Sequence, residues 1–246
     1  MEPTQRFSGR VQDYTRFRPG YPPACLDYMQ HNFNLGAQSV VADIGSGTGI
    51  LTRLLLHTGA TVYAVEPNDN MRAEAERQLQ DQDRFLSVKG TGEASGLKDH
   101  STDLVTVAQA FHWMDPQRAK KEFRRILRPK GHIAILWNVP SGDSAFAREY
   151  EEIKRKYGNN YIAIRQSHEP DLQSFFLPKK MKRQHFPHFV LLNEEGLHGQ
   201  LRSSSFMPVP TDPQYAAVTE AVDRLFGRYQ ENGLVKMEYE TQLHHD

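Results

Sequence analysis

Two carboxylates bracket a tight run of glycines in Val40–Ile50, VVADIGSGTGI. Gly45, Gly47 and Gly49 alternate with Ser46 and Thr48, Asp43 stands two residues before the first glycine, and Glu66 closes the next apolar run about 20 residues on. Glycine takes positive φ and lets a second molecule approach the backbone closely. Amides at such a turn and at the start of the helix behind it hold an anionic group without a basic side chain. A carboxylate at the end of a second strand accepts hydrogen bonds from ribose hydroxyls. This is chemistry for a nucleotide-like ligand. A second set, Gln109-Ala110-Phe111-His112-Trp113, places an imidazole that titrates near neutrality among aromatics. His112 is read as a general base, as a group that orients an acceptor oxygen, or as pocket wall. Trp113 serves packing or substrate stacking, and Trp137 with Asn138 ends a later apolar run in the same way.

Positioning these residues requires a regular scaffold, and the hydrophobic pattern supplies one. Ser39–Ile44, Thr61–Glu66, Phe85–Gly90, Asp103–Ala110 and His132–Asn138 read as strands. Between them lie helical patterns over Gly49–His57, Met71–Gln80 and Pro116–Leu127, stopped by Gly59 and by the turn residues Pro129 and Gly131. Strand alternating with helix implies a parallel sheet covered on both faces. Beyond Asn138 the rhythm breaks. Ser141–Tyr157 reads as a helix, Gly158–Lys180 as a lid or insertion, His185–Asn193 as a late strand whose Pro187 marks an edge or a bulge, Tyr215–Tyr229 as a helix and Val235–Leu243 as a last strand.

Composition narrows the function classes. Thirty Lys and Arg balance thirty Asp and Glu, which disfavours a dedicated nucleic-acid binder. The basic stretches Arg118–Lys130 and Pro178–Arg183 read as solvated charge rather than as an RNA surface. One cysteine, Cys25, excludes an intrachain disulfide framework and a multi-cysteine metal site, and no metal is expected. With no long apolar run and a polar start, MEPTQRFSGR, the chain is expected to be free of membranes and cytoplasmic.

Glycine spacing separates the cofactor classes. A dinucleotide fingerprint reads G-x-G-x-x-G, whereas this chain has G-x-G-x-G with Asp43 before it. An aspartate there suits a ligand with an amino group. S-adenosylmethionine has one, together with a carboxylate for the loop amides and a ribose for Glu66. The motifs D-I-G-S-G-T-G (Asp43–Gly49), V-E-P-N-x-x-M (Val65–Met71), A-F-H-W-M-D (Ala110–Asp115) and F-R-R-I-L-R-P-K-G (Phe123–Gly131), in this order, resemble class I S-adenosylmethionine-dependent methyltransferases, most closely the "type 11" branch with trans-aconitate methyltransferase-like proteins. Phe7–Pro22 and Leu201–Pro210 are similar to the same branch.

The resemblance implies a Rossmann-like α/β fold with a seven-stranded, mostly parallel sheet, helices on both faces, a C-terminal antiparallel strand and a helical cap. It implies one methyltransferase domain over 1–246: a cofactor-covering segment (1–35), a cofactor core (36–140), a lid and substrate region (141–205), and a helix and strand that complete the sheet (206–246). On this view Asp43, Gly45, Ser46, Gly47, Thr48 and Gly49 hold the methionine end of the cofactor, Glu66 the ribose, and Asn68 and Met71 flank the adenine. Where the family motif reads G-x-A-E this chain has Gly90-Thr91-Gly92-Glu93, so a backbone contact to the adenine edge is kept, Gly92 stays in the cofactor set, and the side chain that meets the adenine amino group is Thr91 or Glu93. Gln109 and Ala110 complete the cofactor set, Tyr14 and Arg18 cover it, and Tyr21, His112, Trp113, Trp137 and Asn138 face the acceptor. The expected partner is a small-molecule methyl acceptor, a carboxylate or a ring heteroatom. A cofactor-binding module without catalysis and a nicotinamide-dependent oxidoreductase are the competing readings.

Overall fold

A computed structural model describes residues 9–159, 161 and 172–246. Seven strands form one sheet in the order β3-β2-β1-β4-β5-β7-β6: β1 Val40–Ile44, β2 Thr61–Val65, β3 Phe85–Val88, β4 Thr102–Ala108, β5 Leu127–Pro140, β6 Lys182–Leu192 and β7 Val235–His245. β1 to β5 pair in parallel, and β7 lies antiparallel to both β5 and β6. The sequence explains the order of burial. β1 (VVADI) and β4 (TDLVTVA) are apolar on both faces and sit centrally, while β3 and β6 keep exposed positions and form the edges. Pro187, which cannot donate to a ladder, sits on edge strand β6 in unbroken register with β7, so it marks an edge and no bulge.

Helices α1 Val11–Phe17, α2 Pro23–Phe33, α3 Ile50–Leu56, α4 Asp69–Leu79 and α5 Pro116–Ile126 accompany the parallel half. Asn68 caps α4 by accepting from the amides of Asn70 and Met71, and Asp115 caps α5 through Gln117 and Arg118, with Pro116 at the first helical position. One core layer joins Ile44, Val105 and Val107 to Phe123 and Ile126 of α5, and the opposite layer joins Val41, Val62 and Leu136 to α2 and α3. A third cluster unites α6 Ala145–Tyr157, α8 Glu194–Arg202 and α9 Tyr215–Tyr229 with β7, forming a cap; the short helix α7 Leu172–Phe176 packs on α5, with the Phe175 ring against those of Phe111 and Phe123.

Two boundaries differ from the sequence expectation, each for a local reason. β5 begins at Leu127 because Thr102 pairs with Leu127 and Leu104 with His132, so Arg128–Gly131 loop out between paired positions. The helix expected from Ser141 starts at Ala145, since β5 runs on to Pro140 opposite Tyr239 and Ser144 provides the cap. The late strand expected at His185–Asn193 is present as β6, which begins three residues earlier at Lys182. Residues 1–8 of the expected covering segment, and 160 and 162–171 of the expected lid, lie outside the described residues. Among the described residues no helix is long and apolar enough to cross a membrane.

α1 buries none of its own residues and is fastened to the cap by polar contacts. The Arg10 guanidinium donates to the carbonyls of Arg202, Ser204 and Met207 at 2.5, 2.7 and 2.5 Å. Asp13 pairs with Arg202 at 2.8 Å, and Phe17 packs against Gly199, where a Cβ would run into its ring.

Candidate functional site

β1 lies between β2 and β4, so the chain leaves it in opposite directions and a crevice opens beyond the strand ends. A cavity of about 830 Å³ occupies that crevice and extends beneath the cap. Tyr14, Arg18, Tyr21, Asp43, Gly45, Ser46, Gln109, His112, Trp113, Trp137 and Asn138, all singled out in the sequence, line it together.

The glycine loop divides its three positions by purpose. All three take positive φ: 68° at Gly45, 58° at Gly47 and 83° at Gly49. A Cβ on Gly45 would stand 2.5 Å from that of Ala110, and one on Gly49 would meet Leu79 of α4 at 2.9 Å, so these two allow close packing. A Cβ on Gly47 would meet only Met71 at 3.6 Å and Tyr14 at 3.9 Å, ordinary contact distances. Packing does not demand glycine there; backbone conformation does, beside a space bounded by two movable side chains. Most loop amides are engaged within the protein: Gly45 and Ser46 donate to Val65, Gly49 to Ser46, and Gly47 to the Glu66 carboxylate at 2.9 Å. Closing so tight a turn uses these donors, which leaves the start of α3 and the loop hydroxyls as the groups that face outward for an anion. The Ser46 and Thr48 hydroxyls have no partner among the described residues.

Asp43 is 1% exposed. Its carboxylate accepts from the hydroxyls of Thr52 at 2.6 Å and Thr106 at 2.8 Å. Burial pushes it up to about 6, and the two threonine hydrogen bonds partly oppose that shift. A buried carboxylate facing a cavity without a basic partner is suited to an incoming ammonium. Glu66 is raised by burial as well, opposed by the amides of Asn68 and Gly47. Each of its oxygens retains a lone pair for a hydroxyl donor.

Not every expected residue joins the cavity wall. Thr48, Gly49, Glu66, Asn68 and Met71 are buried outside its lining, with the half-buried Gly47 beside them, and the two sets meet at Tyr14. Asn68 acts as the α4 cap. Thr91, Gly92 and Glu93 fold on themselves: the Thr91 hydroxyl accepts from the amides of Glu93 and Ala94, Gly92 abuts Met114, and Glu93 accepts from the Asp115 amide at 2.7 Å. They do not line the cavity, nor does Ala110, which packs on Gly45. Gln109, held at φ 57°, donates to the Asn138 carbonyl at 3.1 Å. Asn138 in turn donates to the carbonyl of Gly20 at 2.8 Å and accepts from Thr241. Asn138 thus anchors the covering segment that carries Arg18 and Tyr21. His112 lies in a short 3-10 turn, Phe111–Trp113, with its ring 4.6 Å from that of Trp113, while Phe111 turns into the core.

Sequence reasoning expected a cap over 141–205 but named none of the residues in its wall. Tyr150, Glu151 and Lys154 of α6, Tyr161, Gln200 of α8, and Tyr239 and His244 of β7 line the cavity. Glu151 pairs with Lys154 at 2.8 Å and accepts from the Tyr161 hydroxyl at 2.5 Å. Burial, with Arg183 and His185 nearby, pushes His244 down to about 4, so its imidazole is neutral at neutral pH. The i, i+3 pair Glu151–Lys154 was visible in the sequence, but a surface helix carries the same pattern.

Against known proteins, a family described as "Methyltransferase domain" matches residues 42–135. An uncharacterized methyltransferase of Mycobacterium tuberculosis is 38% identical over 153 residues, covering 62% of this chain and 60% of the relative. This chain therefore spans about 60% of the length of the mycobacterial relatives it matches. An uncharacterized methyltransferase-like protein of Schizosaccharomyces pombe is 26% identical over 239 residues, covering 96% of this chain and 92% of that one. Among solved structures, a candidate type II methyltransferase of Anaeromyxobacter dehalogenans superposes with a TM-score of 0.62 at 18% identity, covering 93% of this chain and 97% of the other, a likeness of fold. The motif order, the strand order and these relatives agree in their likeness to S-adenosylmethionine-dependent methyltransferases, and the family match lies on residues 42–135, the segment that carries the glycine loop and β1 to β5.

Proposed function

We propose that the whole chain acts as one methyltransferase domain that transfers a methyl group from S-adenosylmethionine to a small-molecule acceptor, a carboxylate or a ring heteroatom. The observation that carries this reading is the buried Asp43 carboxylate, which opens into the same cavity as His112 and Trp113. S-adenosylmethionine, when bound, supplies a methyl group on a sulfonium whose departure leaves a neutral thioether. Asp43 would hold its ammonium, Ser46 and Thr48 would donate hydroxyls to its carboxylate, and Glu66 would accept from its ribose. Asn68, Met71 and the Thr91–Glu93 turn are assigned the adenine side.

The chain's own task is alignment and exclusion of water. Holding two reactants in line contributes up to about 7–11 kcal/mol of a barrier. Tyr14, Tyr21, Trp113 and Trp137 supply apolar walls, and Asn138 fixes the covering segment over them. An ionised carboxylate needs no base, so His112 orients the acceptor and becomes a proton acceptor only for a substrate protonated at neutral pH. Balanced charge and a single buried cysteine support action in the cytoplasm. The test is turnover of methyl-labelled S-adenosylmethionine over a panel of small carboxylic acids and heteroaromatics. Label in an acid or a ring product supports the proposal; binding of cofactor without turnover of any panel member returns the chain to the class of non-catalytic modules.

A further inference from the structure

Gln200 is 6% exposed, and it lines the cavity, yet its side-chain nitrogen has no hydrogen-bond partner among the described residues. Buried amide donors are ordinarily satisfied, so an orphan at a cavity wall asks for an external acceptor. Its position is fixed from several sides. The Tyr239 hydroxyl donates to Oε1 at 2.9 Å, and the hydroxyls of Ser203 and Ser204 donate to the Gln200 carbonyl at 2.6 and 3.3 Å. The carboxamide oxygen faces Tyr239, which leaves Nε2 as the group on offer.

The surroundings agree in polarity. Arg18 donates to the Ser203 carbonyl at 3.1 Å and to the Ser204 hydroxyl at 3.4 Å, and its buried Nε has no partner among the described residues. The neighbouring carboxylate, Glu151, is already engaged by Lys154 and the Tyr161 hydroxyl. This wall therefore presents donors, and its one anion is neutralised.

We infer that Gln200 is a specificity-determining residue of the acceptor subsite, donating from Nε2 to an oxygen of the acceptor, so that oxygen-bearing anions are taken and isosteres lacking that oxygen are refused. The inference rests on the proposed methyl transfer for what happens to the ligand, but its binding test does not. A site built to donate to a ligand oxygen rejects the analogue without it, because the buried donor is then left unpaired.

The experiment titrates benzoate, benzylamine and toluene into the full chain, with and without saturating S-adenosylhomocysteine, for wild type, Gln200→Leu and Gln200→Glu. Thermal melts identify a variant that has lost its fold; Gln200→Glu keeps the shape and the bond from Tyr239, so one variant remains informative. Wild type is expected to bind benzoate at least about ten-fold more tightly than either isostere. Gln200→Leu should lose that preference, and Gln200→Glu should shift it toward benzylamine, while affinity for S-adenosylhomocysteine changes by less than about two-fold. Equal binding of toluene to wild type, equal binding of benzylamine with S-adenosylhomocysteine occupying the Asp43 side, absence of benzoate binding, or an unchanged preference in a folded variant overturns the inference. Failure of S-adenosylhomocysteine to bind, with the benzoate preference intact, overturns the cofactor reading and leaves the role of Gln200 standing.

Discussion

Gly47→Ala separates what the glycine loop does for the fold from what it does for the ligand. The new Cβ meets Met71 at 3.6 Å and Tyr14 at 3.9 Å, so the protein has room for it. The residue must still hold φ 58°, at a cost of about 1–2 kcal/mol for a non-glycine residue. For a chain of this size that lowers the melting temperature by roughly 2–8 °C. The cofactor meets a different obstacle. The methyl group occupies the space between Tyr14 and Met71 that the ligand's approach to the loop requires, an overpacking of about 1–3 kcal/mol, or roughly 5- to 150-fold in affinity. Gly45→Ala provides the contrast, since its Cβ would stand 2.5 Å from that of Ala110 and the damage falls on the fold itself. The assay pairs thermal melts with calorimetric titration of S-adenosylhomocysteine. Wild-type affinity in Gly47→Ala, with the expected loss of melting temperature, refutes the assignment of this loop to the cofactor.

Glu66→Ala should weaken S-adenosylmethionine by about 1.5–3 kcal/mol, the range for hydrogen bonds to a charged group, and a titration with a 2′-deoxyribose analogue should lose the difference. Asp43 titrates near 6 in the folded chain against about 3.8 for the free side chain, so the folded state binds the extra proton between those values and this group's contribution to stability falls as pH rises through them. Cofactor affinity follows the opposite sign: it should drop by up to about ten-fold per pH unit below about 6, and Asp43→Asn should flatten both profiles in melts and titrations. His112→Gln is expected to raise acceptor KM while the pH dependence of kcat survives. A rate loss of about 10²–10⁴ at saturating acceptor, with the pH dependence gone, would make His112 a general base.

The cofactor platform was legible because its signals are local. Strand and helix periods, the Asn68 and Asp115 caps and the glycine spacing each act over a few residues, and the parallel order follows from their alternation. The cap was expected as a region, but its wall residues were not legible, for the opposite reason. Tyr150, Gln200 and Tyr239 lie far apart in the chain and converge only when α6 and α8 pack on β7. A lone glutamine inside LHGQLRSSS carries no period that distinguishes a cavity wall from a helix face. Asn138 was read as an acceptor contact and does line the cavity; its amide also binds the Gly20 carbonyl and its oxygen accepts from Thr241, a tie between distant segments that one sequence does not display. The turn at Thr91–Glu93 matched its position in the family pattern, but its side chains close on their own backbone and on α5.

The central claim is that the crevice beyond β1 and β4 takes S-adenosylmethionine, and parallel calorimetric titrations of the full chain with S-adenosylhomocysteine and with NADH test it most directly. The account predicts saturable binding of S-adenosylhomocysteine at one site per chain, lost or much weakened in Gly47→Ala, and no heat of binding from NADH. Saturable binding of NADH with none from S-adenosylhomocysteine would contradict it.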